Sequence, residues 1–274
     1  MLDLKRINKY MDTVGSSEKK TFKPKGQIYK TGLDLGTATI VLVVLDEDDN
    51  PLACETQVAE VLRDGVLIDY SGALNIVKKL KAKIEKRLDT ELHECAIAMP
   101  PGTGNSARAH RYVAEGAGFN VTKILDEPTA ANSVYRIENG VIVDIGGGTT
   151  GLSVIKDGAV TEIYDEATGG THLNLVLAGN YKITVAEAEK IKRTRSRHGE
   201  IFPIVRPVLE KMATIVDRHV NKDEVEAIYL CGGTCRIDGI EQVFEAVTGI
   251  KTYRPKDPFL VTSAGIAMNC KNLS

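Results

Sequence analysis

Two short segments of the chain combine an aspartate, glycines and a threonine, the residue types that phosphate sites use. They are residues 34–37 (Asp-Leu-Gly-Thr) and residues 144–149 (Asp-Ile-Gly-Gly-Gly-Thr). Glycine permits a tight turn in which backbone N–H groups approach a ligand closely, and successive N–H groups satisfy phosphate oxygens. The threonine hydroxyls add further donors. Each segment therefore has the composition of a phosphate-binding turn.

The aspartates of these turns, Asp34 and Asp144, would repel a phosphate unless a cation lay between them. Mg²⁺ fits this role because it keeps several waters and binds through carboxylates and phosphates. The two turns together thus predict a clamp around a Mg²⁺-nucleotide. One such turn alone is more simply explained as a hairpin. Two copies on matched strands, the second with three consecutive glycines, favour a ligand site.

The turns belong to a repeated element, because residues 32–46 and 141–158 each run strand, Asp-x-Gly turn, strand and polar turn. Two copies indicate two similar half-domains. Buried-type apolar runs alternate with helical stretches throughout, which indicates an α/β architecture. The predicted strands cover 29–33, 40–45, 95–99, 141–145, 152–155 and 227–231. The predicted helices cover 73–88, 106–116, 128–136, 186–195 and 207–220.

Composition excludes several classes of protein. Lysine plus arginine total 35 against 37 for aspartate plus glutamate, so no net charge favours nucleic acid or membrane binding. The five cysteines are scattered without a C-x-x-C pair, which suits free thiols in a reducing cytosol rather than disulfides or a zinc site. No apolar run reaches transmembrane length and no signal peptide is present, so we expect a cytoplasmic protein.

Residues 1–26 differ from the rest of the chain. Leu4, Ile7, Met11 and Val14 have helical spacing, which predicts a short amphipathic helix over 2–14. The basic stretch that follows is typical of a tail or tether. A frayed terminus that packs weakly on its own domain is the alternative.

A third phosphate-like segment, residues 99–106, is excluded as a P-loop. That motif requires a glycine at its first position and a lysine before its final hydroxyl residue. This chain has Met99 and Asn105 at those positions, so the charge that would contact the β- and γ-phosphates is missing.

Five motifs, in order, resemble those of the actin, sugar-kinase and heat-shock ATPase superfamily. The two Asp-x-Gly turns are similar to its phosphate loops. Residues 126–131 (Asp-Glu-Pro-Thr-Ala-Ala) resemble a connecting helix of DnaK-type chaperones and of the bacterial actins FtsA and MreB. Residues 230–237 resemble the adenosine loop, and 264–267 the closing connecting helix. Residues 62–69 also resemble MreB, and the whole match spans about 28–269.

The resemblance implies an actin-like ATPase fold with two duplicated ribonuclease-H-like half-domains around a nucleotide cleft. Residues 27–138, with a closing helix at 258–270, would form the first half-domain, and 139–257 the second. It also implies that Asp34 and Asp144 hold hydrated Mg²⁺, and that Glu127 orients the attacking water. The implied phosphate contacts are Gly36, Thr37, Gly147, Gly148 and Thr149.

For the nucleoside, residues 189–196 resemble the DnaK-type segment that meets ribose and adenine. The resemblance implies that Glu189 and Lys192 contact the ribose, and that Arg193 and Arg236 stack on the adenine. The adenosine loop would contribute Gly233 and Thr234. Without the other motifs, residues 187–197 are better explained as a solvated basic helix.

Two departures from DnaK-type chaperones affect the expected activity. Their catalytic lysine lies in an inserted subdomain, and residues 51–62 are too short for that insertion and contain no lysine. Gly151 also replaces an acidic residue common after the second loop. Since phosphoryl transfer depends on positive charge around the γ-phosphate, slow or absent hydrolysis is expected. We expect no peptide-binding domain after the closing helix.

The overall pattern most resembles an ethanolamine-utilisation family from bacterial microcompartment operons. The first hypothesis is therefore a chaperone-like ATP/Mg²⁺-binding switch whose partner is an ethanolamine enzyme or shell protein, at a microcompartment. The second is a structural or assembly protein of the FtsA or PilM type, with static nucleotide and homo-oligomers. A small-molecule kinase is the third, which the missing substrate-binding insertion disfavours.

Overall fold

The computed structural model describes residues 3–63, 66–99 and 106–272. The chain forms two compact units: unit 1 comprises residues 1–136 and 260–274, and unit 2 comprises residues 137–259. Each unit contains a five-stranded sheet with helices, so the predicted α/β architecture is confirmed. In the described part of the chain, no helix is long and apolar enough to cross a membrane.

The main sheet of unit 1 has three antiparallel strands followed by two parallel ones. Its strands are β1 (Lys30–Leu35), β2 (Thr39–Leu45), β3 (Pro51–Val58), β6 (Glu94–Met99) and β7 (Asn120–Asp126), with a small hairpin of β4 (Leu62–Arg63) and β5 (Val66–Leu67). Its helices are α1 (Leu4–Ser16), α2 (Tyr70–Leu88), α3 (Ser106–Gly116), α4 (Glu127–Tyr135) and α9 (Val261–Met268). The strand order is β3-β2-β1-β6-β7, with β6 and β7 parallel to β1.

Unit 2 repeats this sheet. Its strands are β8 (Gly140–Ile145), β9 (Thr150–Lys156), β10 (Ala159–Glu166), β11 (Ile228–Cys231) and β12 (Thr252–Tyr253). Its helices are α5 (Gly170–Tyr181), α6 (Val185–Arg193), α7 (His198–His219) and α8 (Ile240–Thr248). The order β10-β9-β8-β11-β12 again places an antiparallel hairpin beside parallel strands.

The repeated hairpins also match in register. Asp34 pairs with Val41 across β1 and β2, and Asp144 pairs with Gly151 across β8 and β9. In each hairpin the aspartate is the last but one residue of its strand. The sheets therefore present the two aspartates at equivalent strand ends.

Apolar strands and helix faces form a separate core in each unit. Strand β2 is buried along its whole length, as expected for a continuous apolar run covered on both faces. In unit 2, Leu209 and Met212 of α7 pack with Val143 and Leu152 of the sheet. Fully burying one such side chain contributes about 1.5–3 kcal/mol. These cores fix the strand ends from which the Asp-x-Gly turns start.

The N-terminal segment differs from the predicted tether, because it packs on unit 1. Helix α1 forms where the apolar spacing predicts it and buries Ile7, Met11 and Val14. Arg6 Nη2 donates to Val134 O at 2.9 Å, which ties α1 to the end of α4. Burial of the apolar face outweighs the polar composition that favoured a tether.

After α1, residues 17–22 lie along the outer edge of β3, and we call them the edge segment. Cys54 N donates to Ser17 O at 3.1 Å, and Phe22 N donates to Leu52 O at 2.9 Å. Arg87 at the end of α2 donates from Nη2 to Ser17 O at 2.5 Å and from Nη1 to Cys54 O at 2.9 Å. The edge segment thus satisfies the outer backbone groups of β3, and Arg87 joins the two.

The structure contains elements that the sequence analysis does not predict: the strands β3, β4, β5, β7, β10 and β12, and the helices α5 and α8. The predicted start of α7 at 207 is wrong, because the helix begins at His198 and includes Pro203 and Pro207. Ile201 and Val205 are buried in the core of unit 2, which outweighs the cost of proline in a helix. Residues 64–65 of the MreB-like segment and 100–105 of the P-loop-like segment lie outside the described residues.

Candidate functional site

Both Asp-x-Gly turns close with the same backbone hydrogen bond. Gly36 N donates to Thr39 O, and Gly146 N donates to Thr149 O, each at 3.1 Å. Each turn therefore has four residues between the last paired residues of its hairpin, which are Leu35 with Ile40 and Ile145 with Thr150. The two turns are equivalent in backbone closure as well as in sequence.

In unit 2, the carbonyl groups of the turn are held by neighbouring elements. Gly146 O accepts from Gly170 N at 2.9 Å and from Thr234 Oγ1 at 2.7 Å. Gly147 O accepts from both Thr171 N and Thr171 Oγ1 at 2.8 Å. The first turn of α5 and the loop after β11 therefore fix the orientation of the peptide groups in this turn.

The amide groups of the same turn have no such partners. Within the described residues, the N–H groups of Gly147, Gly148 and Thr149 donate no hydrogen bond. Three successive donors on a tight turn form a concave surface that suits an anion. The carbonyls of Gly146 and Gly147 are already held, so two peptide groups of this turn have a fixed orientation. We call residues 146–149 the phosphate turn.

Gly169 packs directly against the phosphate turn. A Cβ at this position would lie 2.6 Å from Gly148 C, 2.7 Å from Thr149 N and 2.8 Å from Gly147 C. Only a residue without a side chain fits here, because those neighbours are backbone atoms. The Gly169-Gly170 pair before α5 is the sequence signal that could have identified this support.

A charged cluster on α6 supports the start of α5. Lys192 Nζ donates to Gly170 O at 3.0 Å and pairs with Glu189 Oε2 at 2.6 Å. Glu189 also accepts from Asn174 Nδ2 at 2.6 Å and from Arg193 Nε at 2.5 Å. Burial acts to raise the pKa of Glu189, but Lys192 and the other donors outweigh it and lower that pKa to about 2. This face of α6 is therefore not the solvated basic helix considered as the alternative.

Asp144 is buried at the end of β8, next to residues from two other strands. Gly232, with φ +91°, lies so close that a Cβ there would contact Asp144 Oδ1. Asp165 on β10 forms a hydrogen bond with Thr149. Burial, assisted by the charge of Asp144, raises the pKa of Asp165 to about 6, although the Thr149 hydrogen bond acts against it. The carboxyl of Asp144 thus sits in a closely packed, acidic position beside the phosphate turn.

The adenosine-like loop carries Arg236 at the end of a short 3₁₀ turn, Gly233–Arg236. Arg236 Nε donates to Asp257 Oδ1 at 2.8 Å and Nη2 donates to Asp257 Oδ2 at 2.6 Å. Its guanidinium carbon lies 4.4 Å from the centre of the Phe259 ring. Arg236 is therefore held in a fixed orientation on the surface of unit 2.

In unit 1, Asp34 accepts a hydrogen bond from Ser263 Oγ at 2.7 Å. Ser263 lies on α9, so the closing helix orients this carboxylate. Among the residues that the structure describes, the amides of Thr37 and Ala38 donate no hydrogen bond. The turn of unit 1 thus offers two amide donors where the phosphate turn offers three.

Glu127 is the first residue of α4 and is partly buried. The preceding residue, Asp126, caps the helix by accepting from Thr129 N at 2.8 Å. A carboxylate in the first turn is favoured by the helix dipole, so the backbone position of Glu127 is well defined.

The predicted site residues fall on both units. Unit 1 carries Asp34, Gly36, Thr37 and Glu127. Unit 2 carries Asp144, Gly147, Gly148, Thr149, Glu189, Lys192, Arg193, Gly233, Thr234 and Arg236. In unit 2, hydrogen bonds through Gly170 and Gly146 link Lys192 and Thr234 to the phosphate turn.

The residues present fit a hydrated Mg²⁺ rather than a fully protein-ligated metal. In the described ranges, no group of three or more His, Cys, Asp or Glu side chains is placed to hold a metal ion. Mg²⁺ that keeps its waters needs only one or two carboxylates together with phosphate oxygens. Asp34 and Asp144 each place a carboxylate at a strand end next to a turn with available amides.

Several supporting residues are not predicted from the sequence: Ala38, Asp165, Gly169, Gly170, Thr171, Asn174, Asp257, Phe259 and Ser263. Their contacts join positions far apart in the chain. The hydrogen bond between Ser263 and Asp34, for instance, spans 229 residues.

A family model and known proteins match this chain. The family model described as type IV pilus assembly protein PilM matches residues 112–273. The ethanolamine utilization protein EutJ of Escherichia coli strain K12 is 41% identical over 238 residues, which cover 86% of this chain and 84% of that protein.

Solved structures agree with these matches. The crystal structure of EutJ from Carboxydothermus hydrogenoformans has a TM-score of 0.91 and 44% identity, covering 97% of this chain and 99% of that one. MreB5 of Spiroplasma citri bound to ADP has a TM-score of 0.68 and 19% identity, covering 86% of this chain and 94% of that one. The expected actin-like ATPase fold is confirmed.

Proposed function

We propose that this chain, which belongs to the family of the ethanolamine utilization protein EutJ, binds ATP or ADP with Mg²⁺ and acts as a nucleotide-dependent switch. The phosphate turn is the observation that carries this proposal. Its three amides point to no partner among the described residues, while its carbonyls are held by Gly170, Thr171 and Thr234. A turn built in this way is preorganised for a phosphate group.

The other site residues have complementary proposed roles. Asp34 and Asp144 hold Mg²⁺, which would supply positive charge to the phosphates. Glu127 orients a water. Glu189 and Lys192 lie behind the start of α5, where a ribose bound beside the phosphate turn would meet them. Since a carboxylate has about four acceptor sites, Glu189 can accept a ribose hydroxyl in addition to its three donors.

Hydrolysis by this site is expected to be slow or absent. Residues 51–62 contain no lysine that could contact the γ-phosphate. One missing cationic contact in phosphoryl transfer costs orders of magnitude in rate. The state of the switch would then depend on whether ATP, ADP or no nucleotide is bound, and many switch proteins signal to a partner in this way. The proposed partner is an ethanolamine enzyme or shell protein, and the proposed location is the cytoplasm at a microcompartment.

Calorimetric titration with ATP and ADP, with and without Mg²⁺, tests the binding proposal. The test variant is Asp34→Asn with Asp144→Asn. The control is Asp48→Asn with Asp157→Asn, which removes the same two charges from exposed hairpin turns. We expect Mg²⁺-dependent binding in the wild type and the control, and its loss in the test variant. The proposal would be overturned if the wild type does not bind nucleotide. It would also be overturned if binding is the same with and without Mg²⁺ and the same in the test variant as in the wild type.

An assembly protein with static nucleotide is the second candidate, because the PilM family model matches residues 112–273. Sedimentation of the chain with ATP, ADP or no nucleotide separates the two functions. Nucleotide-dependent polymers with no exchange of bound nucleotide would favour assembly. A monodisperse protein that exchanges ATP for ADP would favour the switch.

A further inference from the structure

The contacts around Arg236 form a layered arrangement at the surface of unit 2. The Arg236 guanidinium lies over the Phe259 ring, with 4.4 Å between its central carbon and the ring centre. Two of its three nitrogens are engaged by Asp257, at 2.8 and 2.6 Å. Asp257 Oδ1 also accepts from Phe259 N at 3.1 Å. Asp257 therefore fixes both the arginine and the backbone of the aromatic residue beneath it.

This arrangement leaves one side of the guanidinium accessible, because the Arg236 side chain keeps 48% of its exposure. Asp257 engages two of the five N–H donors of Arg236, one on Nε and one on Nη2, and so holds the plane of the guanidinium in place. Its flat surface remains available, and guanidinium groups stack well on planar rings. The ligand that best fits this surface is a planar aromatic group.

The layered arrangement is joined to the phosphate turn through two residues of the same short loop. Thr234 Oγ1 donates to Gly146 O at 2.7 Å. Gly233 passes over the Phe259 ring, since a Cβ there would lie 3.3 Å from ring carbon Cδ2. One 3₁₀ turn thus contacts the phosphate turn at one residue and Phe259 at another. A ligand with a phosphate chain and a planar base matches this combination.

We infer that Phe259 and Asp257 are positioning residues that hold Arg236 as a stacking platform for the purine base of the bound nucleotide. This inference rests on the proposed nucleotide binding. Because the platform acts through its flat surface, it contributes equally to adenine and guanine. The platform does not contribute to the affinity for a phosphate chain that carries no base.

Titrations of wild type and Phe259→Leu with Mg²⁺-ATP, Mg²⁺-GTP and Mg²⁺-tripolyphosphate test this inference. Leucine keeps the apolar packing and removes the aromatic face. We expect about two- to fivefold weaker binding of both nucleotides, the size of an exposed cation–π contact, with tripolyphosphate binding unchanged. Tyr253→Leu is the matched control, because it removes a ring that lies under Lys251 elsewhere in unit 2.

A double-mutant cycle distinguishes positioning from general packing. In an Arg236→Lys background, which keeps the charge but lacks the planar group, Phe259→Leu is expected to have no further effect. The inference is overturned if Phe259→Leu weakens tripolyphosphate as much as ATP, has no effect, or acts fully in the Arg236→Lys background. If the wild type binds both nucleotides and only the results for Phe259→Leu disagree, the platform alone is refuted; if the wild type binds neither nucleotide, the proposed nucleotide binding fails as well.

Discussion

Units 1 and 2 share one sheet order, but they protect the outer edge of that sheet differently. In unit 1, the edge segment forms hydrogen bonds with β3, and Arg87 joins the two. In unit 2, the equivalent strand β10 has no strand partner on its outer side among the described residues. A bulge between Val160 and Glu162 and several acidic side chains mark this edge instead. Bulges and charges are common devices that keep a free edge from pairing.

The two units therefore complete their sheets differently. Unit 1 covers its sheet edge with a segment from the N-terminal region. Unit 2 leaves its edge without a strand partner among the described residues, and its closest backbone packing lies around the phosphate turn, at Gly169 and Gly232.

Buried histidines extend this comparison. In unit 1, His110 is fully buried, and neither ring nitrogen has a hydrogen-bond partner among the described residues. In unit 2, the buried His198 has Lys192 O 3.0 Å from Nε2, and its Nδ1 lies 3.2 Å from Asp238 N. Unit 1 therefore contains a buried group that acid should disturb.

The largest expected effect is an acid sensitivity of unit 1. Burial lowers the pKa of His110 from 6.5 to about 4. Above pH 6.5 His110 is neutral in both the folded and the unfolded chain. As the pH falls from 6.5 to 4, His110 binds a proton in the unfolded chain but not in the folded one. The free energy of unfolding therefore decreases, by about 3 kcal/mol in total. Urea unfolding across this pH range measures the loss.

In His110→Leu this part of the pH dependence should disappear, whereas His93→Leu, which changes an exposed histidine of the same unit, should retain it. Hydrogen exchange should show unit 1 losing protection before unit 2. An unchanged slope in His110→Leu would contradict the role of this burial.

The next effect concerns the edge segment. Arg87→Met removes the donors to Ser17 O and Cys54 O and the ion pair with Glu55, which lies at 2.9 Å. Leaving these partly buried acceptors without partners should destabilise unit 1 by about 2 kcal/mol. Urea unfolding gives the change, and hydrogen exchange of residues 17–22 and 51–58 locates it.

Arg197→Met is the matched control in unit 2, since Arg197 pairs with Glu200 on an exposed surface. Such pairs contribute little, so its stability should hardly change. Equal losses in both variants would mean that the edge segment has no special role in unit 1.

The smallest expected effect is on ligand affinity. Gly169→Ala places a Cβ against the backbone of Gly148 and Thr149, so the phosphate turn must shift. Overpacking of this kind costs about 1–3 kcal/mol, and we expect about tenfold weaker Mg²⁺-ATP binding by calorimetry. Gly179→Ala on α5, with nothing within 4 Å of the added carbon, should bind like the wild type. Unaltered binding in Gly169→Ala would show that this packing is not needed.

Local patterns in the sequence were sufficient to predict much of the fold and the two turns of the candidate site. The apolar run of β2 and the paired Asp-x-Gly turns contain their signal within a few residues. Strand β10 was missed because most of its residues are exposed and charged side chains interrupt its alternation. Helix α7 begins at His198 rather than at 207, because the burial of residues 201 and 205 outweighs the cost of the two prolines inside the helix.

The supports of the site could not be predicted, because they depend on which distant segments meet. Ser263 reaches Asp34 across 229 positions of sequence, and Gly169 matters only because the phosphate turn lies against it. No local pattern identifies Phe259 as the neighbour of Arg236. The residues proposed to touch a ligand have sequence signatures, whereas those that orient them are defined by the tertiary structure.

Unit 1 is assembled from two separate stretches of chain, with the whole of unit 2 between them. Helix α9 closes it: Ala267 lies against Gly32 of β1, and Gly265 against Ala130 of α4, with no room for a Cβ at either glycine. During synthesis on the ribosome, all strands of unit 2 emerge before α9 does. Unit 2 can therefore fold first, whereas unit 1 can complete its fold only after α9 has been synthesised. Incompletely folded nascent chains commonly need chaperones during such a period.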